Sequence, residues 1–205
     1  MRSAQLRRAG SPDAYKTWIN EFAAGIGTRK AIVILEPDAL PLVSGCAAST
    51  STVTGLLAYA VDKFKTVSPN AKVYLDAGHA AWKSVSEISG LLSSAGVARA
   101  AGFSLNTSNY QTTANSKTYG DQVSASLGGA KYVIDTSRNG NGPNGGEWCN
   151  PSGRKIGAAP ALVNQGALEA YLWVKIPGES DGNCGIGMGS SAGQFLPQAA
   201  YDMAK

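Results

Sequence analysis

The pattern of apolar and polar positions changes period repeatedly along this chain, and the changes mark its elements. Over 12–25 the apolar residues Tyr15, Trp18, Ile19, Phe22 and Ala23 recur at helical spacing on one face. Ser11 can cap that helix, Pro12 suits its first turn, Asp13 complements its dipole, and Gly25 or Gly27 ends it. The run Ala31-Ile32-Val33-Ile34-Leu35-Glu36 has no polar alternation and reads as a strand buried on both faces. An irregular stretch over 39–50 precedes a second helix over about 51–66, with Leu56, Leu57, Ala60, Val61 and Phe64 inward. Lys72-Val73-Tyr74-Leu75 is the second strand. Ser84 and Glu87 then form a capping box that opens a helix with Val85, Ile88, Leu91, Leu92 and Ala95 inward. Further strands fall at 102–105, 132–134 and 170–175, with a helix at about 115–127 and a last helix carrying Pro197, Ala200 and Tyr201.

Strand and helix alternate, so the sheet is expected to be parallel with right-handed crossovers. Every strand runs into polar or ionisable residues at its C-terminal end. In parallel α/β folds that end carries the chemistry. The first case organises the rest: strand 31–36 ends in Glu36-Pro37-Asp38. Pro37 is expected to hold Glu36 extended and so to present Asp38 just past the strand. Asp38 reads either as a catalytic carboxylate or as a turn residue capping the next helix. Five strands do not close an ordinary barrel, which needs about eight, so either the sheet is open or the chain is incomplete.

Composition narrows the field. The 205 residues are 43% hydrophobic and 16% charged, which suits one globular domain with a real core. The formal charge of +4 is spread along the chain, against a nucleic-acid stripe. No apolar run is long enough to span a bilayer, so no membrane contact is expected. The basic N-terminus, Met1 to Arg8, lacks an apolar stretch and does not read as a signal peptide. The three cysteines, Cys46, Cys149 and Cys184, have no metal-ligand spacing, and their odd number leaves at least one without a partner inside the chain.

The groups converging on the strand ends are Asp38, Asp76, His79, Asn109, Asp135, Lys175, Glu179 and Asp181, with Trp82 and Trp148. Carboxylates, amides and flat indoles together suit a sugar polymer: rings stack, and amides and acids bind hydroxyls. Glycoside hydrolysis needs two carboxyl groups in different protonation states. A metal is the rival use of clustered acids, but one histidine and no recurring spacing argue against it. No Gly-x-Ser-x-Gly elbow suggests a serine triad, and no Gly-x-Gly-x-x-Gly follows a strand. No metal and no cofactor are expected. Trp82 and Trp148 have the plainer alternative of being core.

Six motifs in order then point further. Leu35-Glu36-Pro37-Asp38-Ala39-Leu40, Leu75-Asp76-Ala77-Gly78-His79, Asn106-Thr107-Ser108-Asn109-Tyr110, Ile134 to Gly140, Glu147-Trp148-Cys149-Asn150-Pro151, and Trp173-Val174-Lys175 with Gly178 to Gly182 resemble glycoside hydrolase family six. The resemblance runs from about residue 12 to the end and is nearest to actinobacterial, including mycobacterial, secreted endoglucanases. It implies an inverting β-1,4-glucanase with an α/β fold, a distorted seven-stranded parallel (β/α) barrel, acting on cellulose or a related β-glucan. By position it implies Asp38 as the general acid, its place beside apolar surface raising its pKa toward working pH. It implies Asp181 as candidate base, directly or through a water chain. Lys175, Glu179, His79, Trp82 and Asn109 match sugar contacts, Trp148 a stacking platform, and Ser108 a neighbour of the attacking water. Asp76 and Asp135 are read as supports. It also implies a Cys149–Cys184 disulfide with Cys46 free, and secretion of the family's enzymes. Tunnel-forming cellobiohydrolases of that family carry a long loop after the position of Asp181, so the short connection from Gly182 to Phe195 makes the resemblance imply an open cleft and endo cleavage.

The resemblance lacks about two upstream strand–helix units, with an aspartate and a tyrosine that serve the site in the family. The expectation is therefore a single, N-terminally incomplete catalytic domain over 1–205, with 1–11 poorly ordered. Its first strand should lie at the sheet edge, and the chain should self-associate or accept a complementing polypeptide. A catalytically impaired carbohydrate-binding remnant and half of a split cellulase stay open beside the active enzyme.

Overall fold

A computed structural model describes residues 9–43 and 49–205. Five helices alternate with strands: α1 (Pro12–Ile26), α2 (Thr50–Val67), α3 (Val85–Ser94), α4 (Thr113–Ser126) and α5 (Pro197–Ala204). The strands are β1 (Ala31–Leu35), β2 (Ala71–Asp76), β3 (Gly102–Leu105), β4 (Tyr132–Asp135), β5 (Ala161–Gln165) and β6 (Leu168–Leu172). They form one sheet in the order β1-β2-β3-β4-β6-β5. All neighbours are parallel except β5, which pairs antiparallel with β6. Among the described residues the sheet is not closed, as expected of an incomplete barrel.

The caps read from the sequence are in place. Ser11 Oγ accepts from the Ala14 amide at 3.1 Å, and Ser84 and Glu87 form the reciprocal capping box. Residues 1–8, which make up most of the segment expected to be poorly ordered, lie outside the described residues, and next to them Ala9 packs on the core. Most of the core lies between the sheet's outer face and the helices. Val33, Leu35, Val73, Leu75, Phe103, Leu105, Tyr132, Ile134 and Leu168 pack there against Tyr15, Ile19, Leu57, Phe64, Ile88, Leu92 and Val123.

A smaller cluster of Tyr74, Val133 and Ala170 fills the hollow of the sheet. Between Tyr132 and Val133 the partner strand advances two residues, from Leu168 to Ala170, so Glu169 is a bulge residue. Its carboxylate accepts from the Tyr74 hydroxyl at 2.6 Å and pairs with Lys72. Both partners stand on β2, three strands away in sheet order. The sheet therefore curls far enough for β2 and β6 to meet across its hollow. Partial burial opposes ionisation of Glu169, but the Lys72 and Tyr74 bonds prevail and hold its carboxyl below the usual range.

Three expectations need correction. Strand β1 is not buried on both faces. Val33 and Leu35 are buried on the helix side, but Ile32 is 55% exposed, because β1 is an edge strand with nothing among the described residues beyond it. The fifth predicted strand stops at Leu172 rather than continuing to residue 175. The Val174 and Lys175 amides turn instead to Asp135 Oδ1 and Oδ2, at 3.3 and 3.2 Å. Strand β5 was not predicted: four of the five residues of Ala161–Gln165 are exposed and only Val163 reaches the core, so there is no alternation to show.

Candidate active site

The polar strand ends gather at one end of the sheet, held by two buried aspartates. Asp76 Oδ2 accepts the Asp38 amide at 2.9 Å and the Gly78 amide at 3.2 Å, and its Oδ1 accepts the Ser104 hydroxyl at 3.1 Å. The segments after β1 and β2 are thus tied to β3. Asp135 does the same one step on. Its oxygens accept the amides of Ser108 at 2.9 Å, Ser137 at 2.9 Å, Val174 and Lys175. That ties the segments after β3, β4 and β6. Burial pushes the Asp76 carboxyl up, while its hydrogen bonds pull the other way.

These bonds set an unusual backbone. Asp38 has φ 70° and Glu36 φ 48°, so Glu36 is not extended as Pro37 suggested. The Ala39 amide bonds to Glu36 O at 3.1 Å, and Asp76 captures Asp38, so the closed turn outweighs the pre-proline preference. Ser108 at φ 58° is likewise held by Asp135. Gly78, at φ 69°, lets the chain turn where a Cβ would lie 2.7 Å from Pro41 and 3.0 Å from Trp82. The missing side chain leaves room for the Trp82 ring.

The result is a cleft of about 460 Å³, lined among others by Asp38, His79, Trp82, Ser108, Asn109, Trp148 and Asp181. Seven residues singled out from the sequence thus meet on one surface, and Trp148 is exposed rather than core. Asp76 and Asp135 lie beneath it, buried. Lys175 is also buried. Its ammonium donates to Glu179 Oε1 at 2.9 Å and Ser180 O at 3.3 Å, and lies 3.4 Å from Asp181 Oδ1. Among the described residues no group of three His, Cys, Asp or Glu side chains could hold a metal ion.

Sequence reasoning missed the surroundings of Asp181. Arg138 is fully buried and donates to both its oxygens, Nη1 to Oδ2 at 3.0 Å and Nη2 to Oδ1 at 3.2 Å. The Tyr110 hydroxyl donates to Oδ2 at 3.3 Å, and the Arg138 guanidinium lies 4.5 Å from the Tyr110 ring centre. Asn150 completes the cage. Its amide donates to Asp181 Oδ2 at 3.1 Å, and its Oδ1 accepts the Asp181 amide at 2.7 Å. Its Nδ2 donates to Gly182 O and Cys184 O at 2.8 and 3.1 Å. The expected Cys149–Cys184 disulfide is formed beside it, with Cα atoms 5.9 Å apart. Cys46 lies outside the described residues. Arg138 and Asn150 both stood inside motifs already singled out, so a search for counter-ions near each acid would have found Arg138.

His79 is the only histidine in the chain, and burial pushes its pKa down from 6.5 to about 4. Its Nδ1 accepts the Ala81 amide at 3.3 Å, which leaves the neutral ring's proton on Nε2. The cleft therefore presents a neutral imidazole. As pH falls, the unfolded chain protonates first, near 6.5, and the folded one near 4, so stability is full above 6.5 and declines between 6.5 and 4. Proton NMR should follow one imidazole titrating at about 4; a midpoint near 6.5 would refute the buried, neutral assignment.

A curled, mainly parallel sheet with carboxylates, amides and indoles at its strand ends defines an α/β protein with a polar, aromatic-lined cleft. Residues 4–204 match the model of "Glycosyl hydrolases family 6", and the chain belongs to that family. It is 51% identical over 203 residues to Endoglucanase 1 of Streptomyces halstedii, covering 95% of this chain and 62% of that protein. It is 53% identical over 196 residues to Endoglucanase A of Cellulomonas fimi, covering 95% of this chain and 42% of that one. Among solved structures, the endoglucanase Cel6 from Mycobacterium tuberculosis, in complex with methyl-cellobiosyl-4-deoxy-4-thio-β-D-cellobioside, superposes with a TM-score of 0.89 at 44% identity. That match covers 95% of this chain and 67% of the solved one. The chain thus spans about half the length of the curated relatives it matches.

Proposed function

We propose that this cleft hydrolyses internal β-1,4-glucosidic bonds of cellulose or a related β-glucan, with inversion. The observation that carries the proposal is the meeting of Asp38 and Asp181 in one cleft with two indoles and a neutral imidazole. Asp38 gives its proton to the glycosidic oxygen. The bond from that oxygen to the anomeric carbon breaks, and its electron pair stays with the oxygen. A water attacks the carbon from the opposite face and passes its proton to Asp181, directly or through further water. Ser108 sits beside that water. Trp82 and Trp148 stack on sugar rings, while His79 and Asn109 bind hydroxyls. Glu179 binds hydroxyls too, fixed by Lys175. Relatives named as endoglucanases, and a neighbour that holds a thio-linked cellobioside, support the substrate class.

Two measurements test this. Reducing-sugar release from carboxymethylcellulose, beside a cellulose pull-down, separates a hydrolase from a carbohydrate-binding remnant. Proton NMR of the first product should show the α anomer; a β anomer refutes inversion. Export to an oxidising compartment is part of the same reading, because the Cys149–Cys184 disulfide needs one.

The open edge of β1 gives the other proposed partner. Its outer edge, unpaired among the described residues, and the exposed Ile32 suit an added strand, from a complementing polypeptide or a second copy. Sedimentation at rising concentration should show a growing dimer; a monomer throughout refutes self-association.

A further inference from the structure

The loop carrying Trp148 separates two hollows. One is the cleft just described; the other, of about 560 Å³, is lined by Gly146, Glu147, Trp148, Cys149, Pro151, Ser152, Gly185 and Ile186. Gly146, Glu147 and Trp148 line both. We propose that this second hollow is an additional saccharide subsite, which takes a glucose unit of a β-glucan chain after it has crossed Trp148; this rests on the glucan reading of the cleft.

The lining has the chemistry for it. Trp148 is 55% exposed and offers flat apolar surface, and Ile186, 51% exposed, forms another apolar wall. Ser152 offers a hydroxyl. Glu147 contributes a carboxylate held by Asn144, whose Nδ2 donates to Glu147 Oε2 at 2.6 Å. Apolar surface with a few fixed polar groups suits an uncharged pyranose.

The walls are built to hold their places. The Cys149–Cys184 disulfide joins the two loops that make them. The Ile186 amide donates to Asn150 O at 3.0 Å. Gly185, at φ 51°, packs where a Cβ would lie 2.3 Å from Asn150 O, so this close approach needs glycine. A subsite formed before its ligand arrives loses less affinity to ordering.

The test is calorimetric binding of cellotriose, cellotetraose, cellopentaose and cellohexaose to the chain and to Ile186→Ala and Ser152→Phe. Ile186 and Ser152 are exposed, so neither change removes buried core. Affinity should keep rising with length in the parent chain. Ile186→Ala should weaken the longest oligosaccharides by about fivefold and leave the shortest binder unchanged. Ser152→Phe, which fills the hollow, should abolish the last increment. Equal effects at every length, or none at any length, would overturn the subsite. Failure of the parent chain to bind any of the four would overturn the glucan reading, and this proposal with it.

Discussion

Asp38→Asn is expected to lower hydrolysis of unactivated β-glucan by at least about 10²-fold, the usual contribution of a placed general acid. The change keeps the size and polarity of the side chain and removes only its proton-donating acidity. The Asp38 amide still reaches Asp76, so the φ 70° backbone should survive. Asparagine also tolerates that backbone well. Affinity for cello-oligosaccharides should therefore stay close to the parent's. A substrate with an activated leaving group needs little protonation and should lose far less. Reducing-sugar assays and hydrolysis of aryl cellobiosides, run side by side, give the contrast. Equal losses on both substrates, or unchanged turnover on cellulose, would remove Asp38 from the acid's role.

The second large effect concerns stability. Arg138 and Asp181 are an ion pair with side chains 1% and 2% exposed. Arg138→Met deletes two hydrogen bonds to a buried carboxylate and leaves only Lys175 to balance it. Breaking such a pair from one side is expected to cost roughly 3 kcal/mol of folding stability. Adding Asp181→Asn to that variant should recover part of the loss, because no unpaired charge then remains. Urea unfolding of the two variants measures both terms. A cost below about 1 kcal/mol for the single change would show that the pair contributes little.

The layout of the fold was legible because its signals are local. Ser11, and Ser84 with Glu87, announce helix starts in a few residues, and helix faces can be read from spacing. Spacing still does not reveal what lies outside an element. Phe22 shares the predicted inward face of α1 but is 39% exposed, lying against Trp18 and Phe64 at ring-centre distances of 5.1 and 5.4 Å. Strand β5 was invisible for a related reason. Its Leu162 is 77% exposed and only Val163 touches the core, so burial shaped too few positions to make a pattern. At the site, the acids and indoles stood out by residue type. Arg138 did not, because an arginine in a polar loop reads as solvated until the fold closes over it. Asn150 stood in a motif without a role of its own, and its use appears only when Asp181 is brought against it from 31 positions away.

The Glu169 bulge bears on how the molecule comes to exist in time. Its bond to Tyr74 joins residues 95 positions apart. Loop closure over such a span comes late, after the nearest-neighbour strand pairs have formed. The parallel ladder from β1 to β4 needs only short crossovers, so it can assemble while the chain is still leaving the ribosome. The bonds that Glu169 makes across its hollow cannot. Until β6 arrives, Tyr74 and Lys72 face a hollow with no far wall, and the strand ends have no common focus. On this account the sheet is made early and the cleft late, and the nascent chain passes through an interval in which Asp38 is already carried by β1 while the cage for Asp181 has yet to be built.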